Sequence, residues 1–359
     1  MRIVILGLTI TSSWGNGHAT TYRGLVRGLA RRGHEVLFLE RDKPWYAGNR
    51  DLPEPPYGET HLYDTLDELD ARWAAAVRAA DLVMVGSYVP DGQAVAAWAQ
   101  RHARGVAAFY DIDTPITLAA LAGGRCEYLT PELLRGFGLY LSFTGGPTLQ
   151  FLERTLGAPM ARALYCSADP DVYRPDPGAA PDVDLGYLGT YSPDRQPVLD
   201  ELLCRPAAAW AAGRFVVAGP QYPDSIMWPA NVRRVTHLAP DKHRAFYAGQ
   251  RYTLNVTRAD MRQAGYSPSV RLFEAACCGV PVISDEWPGL EAFFVPGEDI
   301  LTARNGVDVL AILQGMPEGK RLDIAAAARA KALGAHTGDH RAAELEAYAR
   351  EAAGRQVRA

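Results

Sequence analysis

The sequence has no Cys-x-x-Cys pair, and its five cysteines (Cys126, Cys166, Cys204, Cys277, Cys278) are odd in number and scattered. No cysteine and histidine spacing suits zinc, and this cysteine usage favours a reducing compartment, so a cytoplasmic protein is expected. Long apolar runs are lacking too. The run Ile3 to Leu8 is too short for the core of a signal peptide and reads as a buried strand, and no other segment is long enough to span a bilayer. Charge of one sign is also scarce. With 22% charged residues and a net charge of -4, the chain has no global basic field of the kind that nucleic acids or anionic membranes select. Partners are therefore expected to be small or locally recognised. What is present is 359 residues at 48% hydrophobic content, enough for a sizeable core and long for one domain.

Short β-branched or leucine-rich runs alternate with helical patterns from the start. Strands are expected at Arg2 to Leu8, Glu35 to Leu39, Leu82 to Val85, Val106 to Tyr110, Leu139 to Phe143 and Ala163 to Cys166. Helical periodicity marks Ala19 to Arg32, Leu66 to Ala80 and Gly92 to His102, the first ending at Gly33. A proline-rich stretch, 169–182, continues neither element and is expected to link two domains. A second alternating series follows, with strands at Asp184 to Leu188, Arg214 to Ala218, Val232 to His237, Tyr252 to Thr257 and Val280 to Ser284. The expected organisation is a Rossmann-like domain over 1–168, the linker, a second Rossmann-like domain over 183–335, and a C-terminal helix over 336–359 that packs back on the first. In such sheets ligands sit beyond the carboxyl ends of the strands, so the loops there carry the functional reading.

The loop after the first strand holds Gly15, Asn16, Gly17 and His18 just before a helix, where glycines admit a ligand close to the backbone and the helix start favours a negative group. As a dinucleotide fingerprint it is poor, since Thr20 stands where a third glycine belongs, although Glu40 is placed as a ribose-binding acid would be. His18 either caps locally or serves substrate contact and proton transfer. After the fourth strand come Asp111 and Asp113, carboxylates suited to bonding sugar hydroxyls or taking a proton, with Asp113 or Thr114 also placed to cap a helix beginning at Pro115. The Asp-x-Asp spacing resembles a metal site, but Asp169-Pro-Asp171 and Asp182-Val-Asp184 show how readily it arises here, and no metal is expected.

In the second half, Gly189 and Thr190 end a strand where backbone donors can meet a diphosphate, with Arg195 close behind. The stretch from Asn255 to Asp285 is the most informative. Ser267 followed by Pro268 reads as a helix start, and Arg271 then lies in a first turn, where a cation opposes the helix dipole unless an anion is bound. Glu274, set among Phe273, Ala275, Ala276 and Cys277, is a carboxylate that needs a partner, and a vicinal diol such as a ribose offers two donors. The alternative is an ion pair between Arg271 and Glu274 within the helix.

The segment Ser269-Val-Arg-Leu-Phe-Glu274-Ala-Ala-Cys-Cys-Gly-Val-Pro-Val-Ile-Ser-Asp285, with Pro288-Gly-Leu-Glu291 and Pro296-Gly-Glu298, resembles the donor-site signature of GT-B glycosyltransferases of the group 1, family 4-related kind. It looks closest to the CgeB-like (spore-maturation protein) branch. The resemblance extends to Thr11 to His18, Asp111 to Pro115, Asp169 to Tyr173 and Asp184 to Gly189. It implies an α/β GT-B fold, two Rossmann-like domains facing each other across a cleft, and a metal-independent hexosyl transfer from a UDP-, GDP- or dTDP-linked sugar, with no cofactor. By this resemblance Glu274 bonds the donor ribose, Arg271 and Ser269 at the helix start face the diphosphate, and Gly189, Thr190, Arg195 and Arg258 complete the grip. His18, Asp111 and Asp113 are the catalytic candidates. Where retaining relatives carry a glutamate against the transferred sugar, this sequence has Tyr266, with Asp260 and Gln263 as substitutes on the same loop.

Two other readings remain open, a sugar-nucleotide epimerase of the same fold and a non-catalytic sugar-nucleotide-binding protein. Arg23, Arg27 and Arg31 on one face of the first helix leave a peripheral membrane contact open, but a solvated face accounts for them and nucleic acid is not expected. The acceptor, the stereochemical course and the oligomeric state are not encoded in any motif.

Overall fold

Apolar runs near the start of the chain form β1 (Arg2–Gly7), β2 (Glu35–Arg41), β3 (Glu59–Tyr63), β4 (Leu82–Gly86), β5 (Val106–Asp111), β6 (Leu139–Ser142) and β7 (Ala161–Ala163). The computed structural model, which describes residues 1–15 and 17–356, pairs them in one parallel sheet of order β3-β2-β1-β4-β5-β6-β7. A second parallel sheet has the order β10-β9-β8-β11-β12-β13, from β8 (Val183–Leu188), β9 (Phe215–Ala218), β10 (Val232–Val235), β11 (Gln250–Asn255), β12 (Val282–Ser284) and β13 (Leu301–Thr302). Each sheet belongs to its own unit. The first unit is Met1–Cys166 rejoined by the last helix, Gly338–Gln356, and the second is Ser167–Thr337. The proline-rich stretch 169–182 lies in the second unit, where Tyr173 is buried.

Strands buried on both faces need near-continuous apolar sequence, which is why β1, β4, β5 and β9 read plainly. The edge strands do not. Glu-Thr-His-Leu-Tyr of β3 pairs only with β2, and β13 is two residues long, so neither carries a legible period. β7 comes earlier than the expected Ala163 to Cys166, because β6 ends at Ser142 and that residue pairs with Ala163. Each sheet buries its own core, Leu6, Val83, Val95, Phe109 and Phe137 in the first and Leu185, Leu203, Val217, Leu254 and Ile324 in the second.

The last helix lies on the first helix, His18–Arg31, at a distance only glycine permits. A Cβ on Gly28 would stand 2.5 Å from the Gly338 carbonyl oxygen, and one on Gly338 would stand 2.2 Å from that of Gly24. Ion pairs flank the contact, Arg32 to Glu346 at 2.6 Å and Arg31 to Asp339 at 3.3 Å. Arg23 pairs with Asp51 at 2.8 Å and donates to the Ile10 carbonyl. Arg23 and Arg31 of the first helix are thus occupied within the first unit.

In both sheets the strand order reverses once, between β1 and β4 and between β8 and β11, and the loops at those carboxyl ends flank the place where doubly wound sheets hold ligands. Register shapes the first of these loops. β1 and β2 pair Gly7 with Glu40, which sets the Glu40 carboxylate under residues 9–11. It accepts from the Ile10 and Thr11 amides at 2.7 and 3.0 Å and from the Thr9 and Thr11 hydroxyls at 3.1 and 2.6 Å. Fully buried with both oxygens engaged, Glu40 has nothing left for a ribose, and the dinucleotide reading of this loop falls. Glu40→Ala strands four buried donors and is expected to cost the first unit about 3–5 kcal/mol, read as a lowered urea midpoint at unchanged slope.

Candidate functional site

The second unit places Arg271 and Glu274 on the helix Val270–Cys277, both buried. The helix begins two residues later than its Ser-Pro signal suggests. Pro268 belongs to the lead-in, and Ser269, extended at φ -79° and ψ 142°, takes the cap position. Its hydroxyl makes no cap bond and lies 3.5 Å from Arg271 Nη1. The amides of the first turn are left without helical acceptors, as at any helix start.

Pairing of Leu254 with Tyr187 brings Asn255 level with Leu188, and Arg271 bridges the two strand ends. Its Nε donates to the Leu188 carbonyl at 2.6 Å and Nη1 to Asn255 Oδ1 at 2.8 Å, with the guanidinium 4.8 Å from the Tyr187 ring centre. Nη2 lies 3.0 Å from where a Cβ on Gly189 would stand, which places it at the Gly189 backbone. The ion pair between Arg271 and Glu274 does not form. Glu274 instead accepts from the Tyr247 hydroxyl at 3.0 Å and faces the Tyr173 hydroxyl. Neither tyrosine was identified from sequence, where the only signal was that Glu274 needed a partner.

The loops after β8 and β11 are tied together, since Asp194 accepts from the Ala259 amide at 2.9 Å and lies beside Arg258. Arg195 donates through Nη2 to the Thr190 carbonyl at 2.7 Å. Among the described residues, the Nε donors of Arg195 and Arg258 are buried with no partner. Other buried donors of the described residues are unpartnered too, but these two guanidinium donors lie on adjoining loops, an arrangement that suits an anion. Tyr266 adopts φ +47°, donates its amide to the Pro288 carbonyl at 2.7 Å, and sets its ring where a Cβ on Gly289 would be only 2.5 Å away. It braces the loop after β12. Asp260 and Gln263 are exposed on the helix Ala259–Ala264. Asp285, at the end of β12, was read only as the end of the motif. Its Oδ1 accepts from the Thr257 amide and hydroxyl at 3.1 and 2.8 Å, while Oδ2 is buried without a partner.

In the first unit, Gly15 has φ +68° and no atom within 4 Å of a Cβ added there or at Gly17, so the loop backbone is open; Asn16 lies outside the described residues. His18 opens the first helix, buried, with its ring edge-on to Tyr88 at 5.4 Å. Burial lowers its pKa to about 4, so the imidazole is neutral at pH 7. Asp111 is enclosed. Its Oδ1 accepts from the Thr117 hydroxyl at 2.6 Å and the Asp113 amide at 3.3 Å, and its Oδ2 from the Tyr140 hydroxyl at 2.5 Å. With no exposed surface it holds β5, β6 and the helix Thr114–Ala122 together. Asp113 is half-buried at the cap position of that helix, makes no side-chain cap bond, and neighbours the Tyr88 hydroxyl. Tyr88, at φ +61° beyond β4, touches His18, Tyr128 and Asp113, a convergence invisible in sequence. Among the described residues no three His, Cys, Asp or Glu side chains gather as a metal site, and no helix is long and apolar enough to cross a membrane.

Burial raises the Asp111 pKa to about 6, against the lowering effect of its Thr117 and Tyr140 bonds. The two buried groups oppose one another in acid. His18, depressed to about 4, contributes stability above its unfolded pKa that is lost as pH falls toward 4. Asp111, raised to about 6, contributes stability below its unfolded pKa that is lost as pH rises through 6. Between about pH 4 and 6 their slopes nearly cancel. Asp111→Asn is expected to unmask a rise of stability with pH across that window, and His18→Gln a fall, each approaching about 1.4 kcal/mol per pH unit in denaturation series. Unchanged slopes in both variants would refute the assignment.

Residues 195–347 match the family model described as glycosyl transferase-like. No curated protein matches the chain in sequence. Among solved structures, sucrose-phosphate synthase from Thermosynechococcus elongatus is similar at 13% identity and TM-score 0.69, over 98% of this chain and 99% of that one. HepE from Anabaena, solved in complex with UDP and glucose, is similar at 15% identity and TM-score 0.68, over 96% of this chain and 98% of its own. AviGT4, a glycosyltransferase involved in avilamycin A biosynthesis, is similar at 17% identity and TM-score 0.60, over 98% of both chains. The chain therefore has the GT-B fold, and residues 195–347, most of them in the second unit, carry the similarity to a glycosyl transferase-like family.

Proposed function

We propose that the chain is a glycosyltransferase that moves a sugar, a hexose in the simplest case, from a nucleoside diphosphate sugar to an acceptor. The observation that carries the reading is the pair of buried, unpartnered guanidinium donors, Arg195 Nε and Arg258 Nε, on the loops at the β8 and β11 switch point where Arg271 also ends. A diphosphate is the chemistry that suits such a set. As the glycosidic bond breaks, the leaving diphosphate gains negative charge, and fixed arginines with the first-turn amides of Val270–Cys277 stabilise it with no reorganisation and no metal. Glu274 is the acceptor for the ribose hydroxyls. HepE was solved with UDP-glucose, which makes UDP-glucose the first donor to try here. The segment Ser269 to Asp285, with Pro288 to Glu291 and Pro296 to Glu298, supports placement in the CgeB-like branch.

The first unit is assigned the acceptor. If the reaction inverts, a base must take the proton of the attacking hydroxyl, and neutral His18 and half-buried Asp113 are its candidates. The cysteine pattern supports a cytoplasmic setting.

Calorimetric titration with UDP-, GDP-, dTDP- and CMP-linked sugars tests this. One of them is expected to bind, and Arg271→Ala and Glu274→Ala to weaken it at least about tenfold each in protein that still melts cooperatively. No binding by any donor would sink the proposal. Conversion of a bound donor to its epimer without release of nucleotide would replace transfer with epimerisation.

A further inference from the structure

Two tyrosines approach Glu274, and their surroundings differ. Tyr247 is fully buried on the helix His243–Ala248, and among the described residues its hydroxyl makes one hydrogen bond, to Glu274 Oε2 at 3.0 Å. Tyr173, buried in the proline-rich stretch, has a second acceptor within reach. Its hydroxyl makes its hydrogen bond to His243 Nδ1 at 3.3 Å and faces the Glu274 carboxylate beside it. The other ring nitrogen, Nε2, is 3.3 Å from the Leu238 carbonyl, which requires an N–H there and leaves Nδ1 of the neutral ring as an acceptor. One phenol proton cannot serve Glu274 and His243 at once.

A buried carboxylate with a single neutral donor is poorly satisfied, so the free protein gains from a second donor at Glu274. A ribose diol brings two donors of its own and displaces whichever protein group can be satisfied elsewhere. Tyr173 has somewhere to turn, and Tyr247 does not. Burial beside the carboxylate pushes both phenols far above their ordinary pKa, so both remain donors.

We infer that Tyr247 is a positioning residue that fixes Glu274 for a ribose, and that Tyr173 is a displaceable donor that covers Glu274 until a ribose diol takes its place and leaves its hydroxyl to His243. The inference rests on the donor-site reading above. It makes the two tyrosines, chemically alike and both against one carboxylate, respond oppositely to the same substitution.

The test compares UDP with 2′,3′-dideoxy-UDP by calorimetry, with GDP and its dideoxy counterpart in parallel. The unaltered protein is expected to prefer the ribonucleotide at least about tenfold. Tyr247→Phe is expected to weaken the ribonucleotide and collapse that preference toward unity. Tyr173→Phe is expected to keep the preference, to bind the ribonucleotide as tightly or more tightly, and to melt lower without nucleotide. Equal weakening by both substitutions would overturn the displaceable role of Tyr173, and an unchanged preference in Tyr247→Phe would overturn positioning by Tyr247. If Tyr247→Phe does not fold, Glu274→Gln reads the same preference, and its persistence overturns the inference. Equal binding of the two UDP forms by the unaltered protein removes the ribose contact while leaving the donor site standing. Failure of both UDP and GDP to bind sinks the donor-site reading and the inference with it.

Discussion

A charge inside a protein persists only where the fold brings partners to it, and the carboxyl ends of the two parallel sheets are organised around that requirement. Arg271 is held because the register of β8 and β11 delivers a strand-end carbonyl and the Asn255 side chain together. Glu40 is held because pairing with β1 sets it beneath two amides and two hydroxyls of the following loop. Asp111 closes three elements on itself in the same way. Parallel pairing aligns all strand ends on one side of a sheet, so a single register choice positions the whole set of loops there.

The parts of the fold that sequence revealed are those fixed by local physics. Strands buried on both faces must be apolar throughout, and β1, β4 and β5 read as such. β3 and β13 escaped because an edge strand is held by its neighbour's backbone and its side chains need follow no period. At the site, Arg271 and Glu274 stood out because each conflicts with its local setting, a cation at a helix start and an acid among apolar neighbours. What answered those conflicts was not local. Tyr247 lies 27 residues from Glu274, and the donors to Glu40 come from about thirty residues before it. Glu40 therefore reads from sequence as available for a ribose, whereas its oxygens are taken by the loop after β1.

Tyr266 shows how one substitution alters the meaning of a motif. A glutamate at that position would carry a free carboxylate, whereas the tyrosine packs over Gly289 and ties its amide to Pro288. The position has become a brace for the loop after β12. Asp285 Oδ2 is buried without a partner at the root of that loop, while Asp260 and Gln263 stand in solvent.

Among the described residues the two units each leave buried polar groups unsatisfied. At the carboxyl edge of the first sheet the buried acids Glu40 and Asp111 are met by protein donors, although the Tyr22 and Tyr63 hydroxyls of that unit are buried without partners. At the edge of the second, Arg195 Nε and Arg258 Nε are buried without acceptors. Each such donor costs about 1–3 kcal/mol relative to a paired one. These two are among several buried unpartnered donors of the described residues, and they are the guanidinium pair that shares adjoining loops at a switch point. Two guanidinium donors without acceptors, with Arg271 ending at the same switch point, suit an anion, which is why the second unit is proposed to take the nucleotide diphosphate.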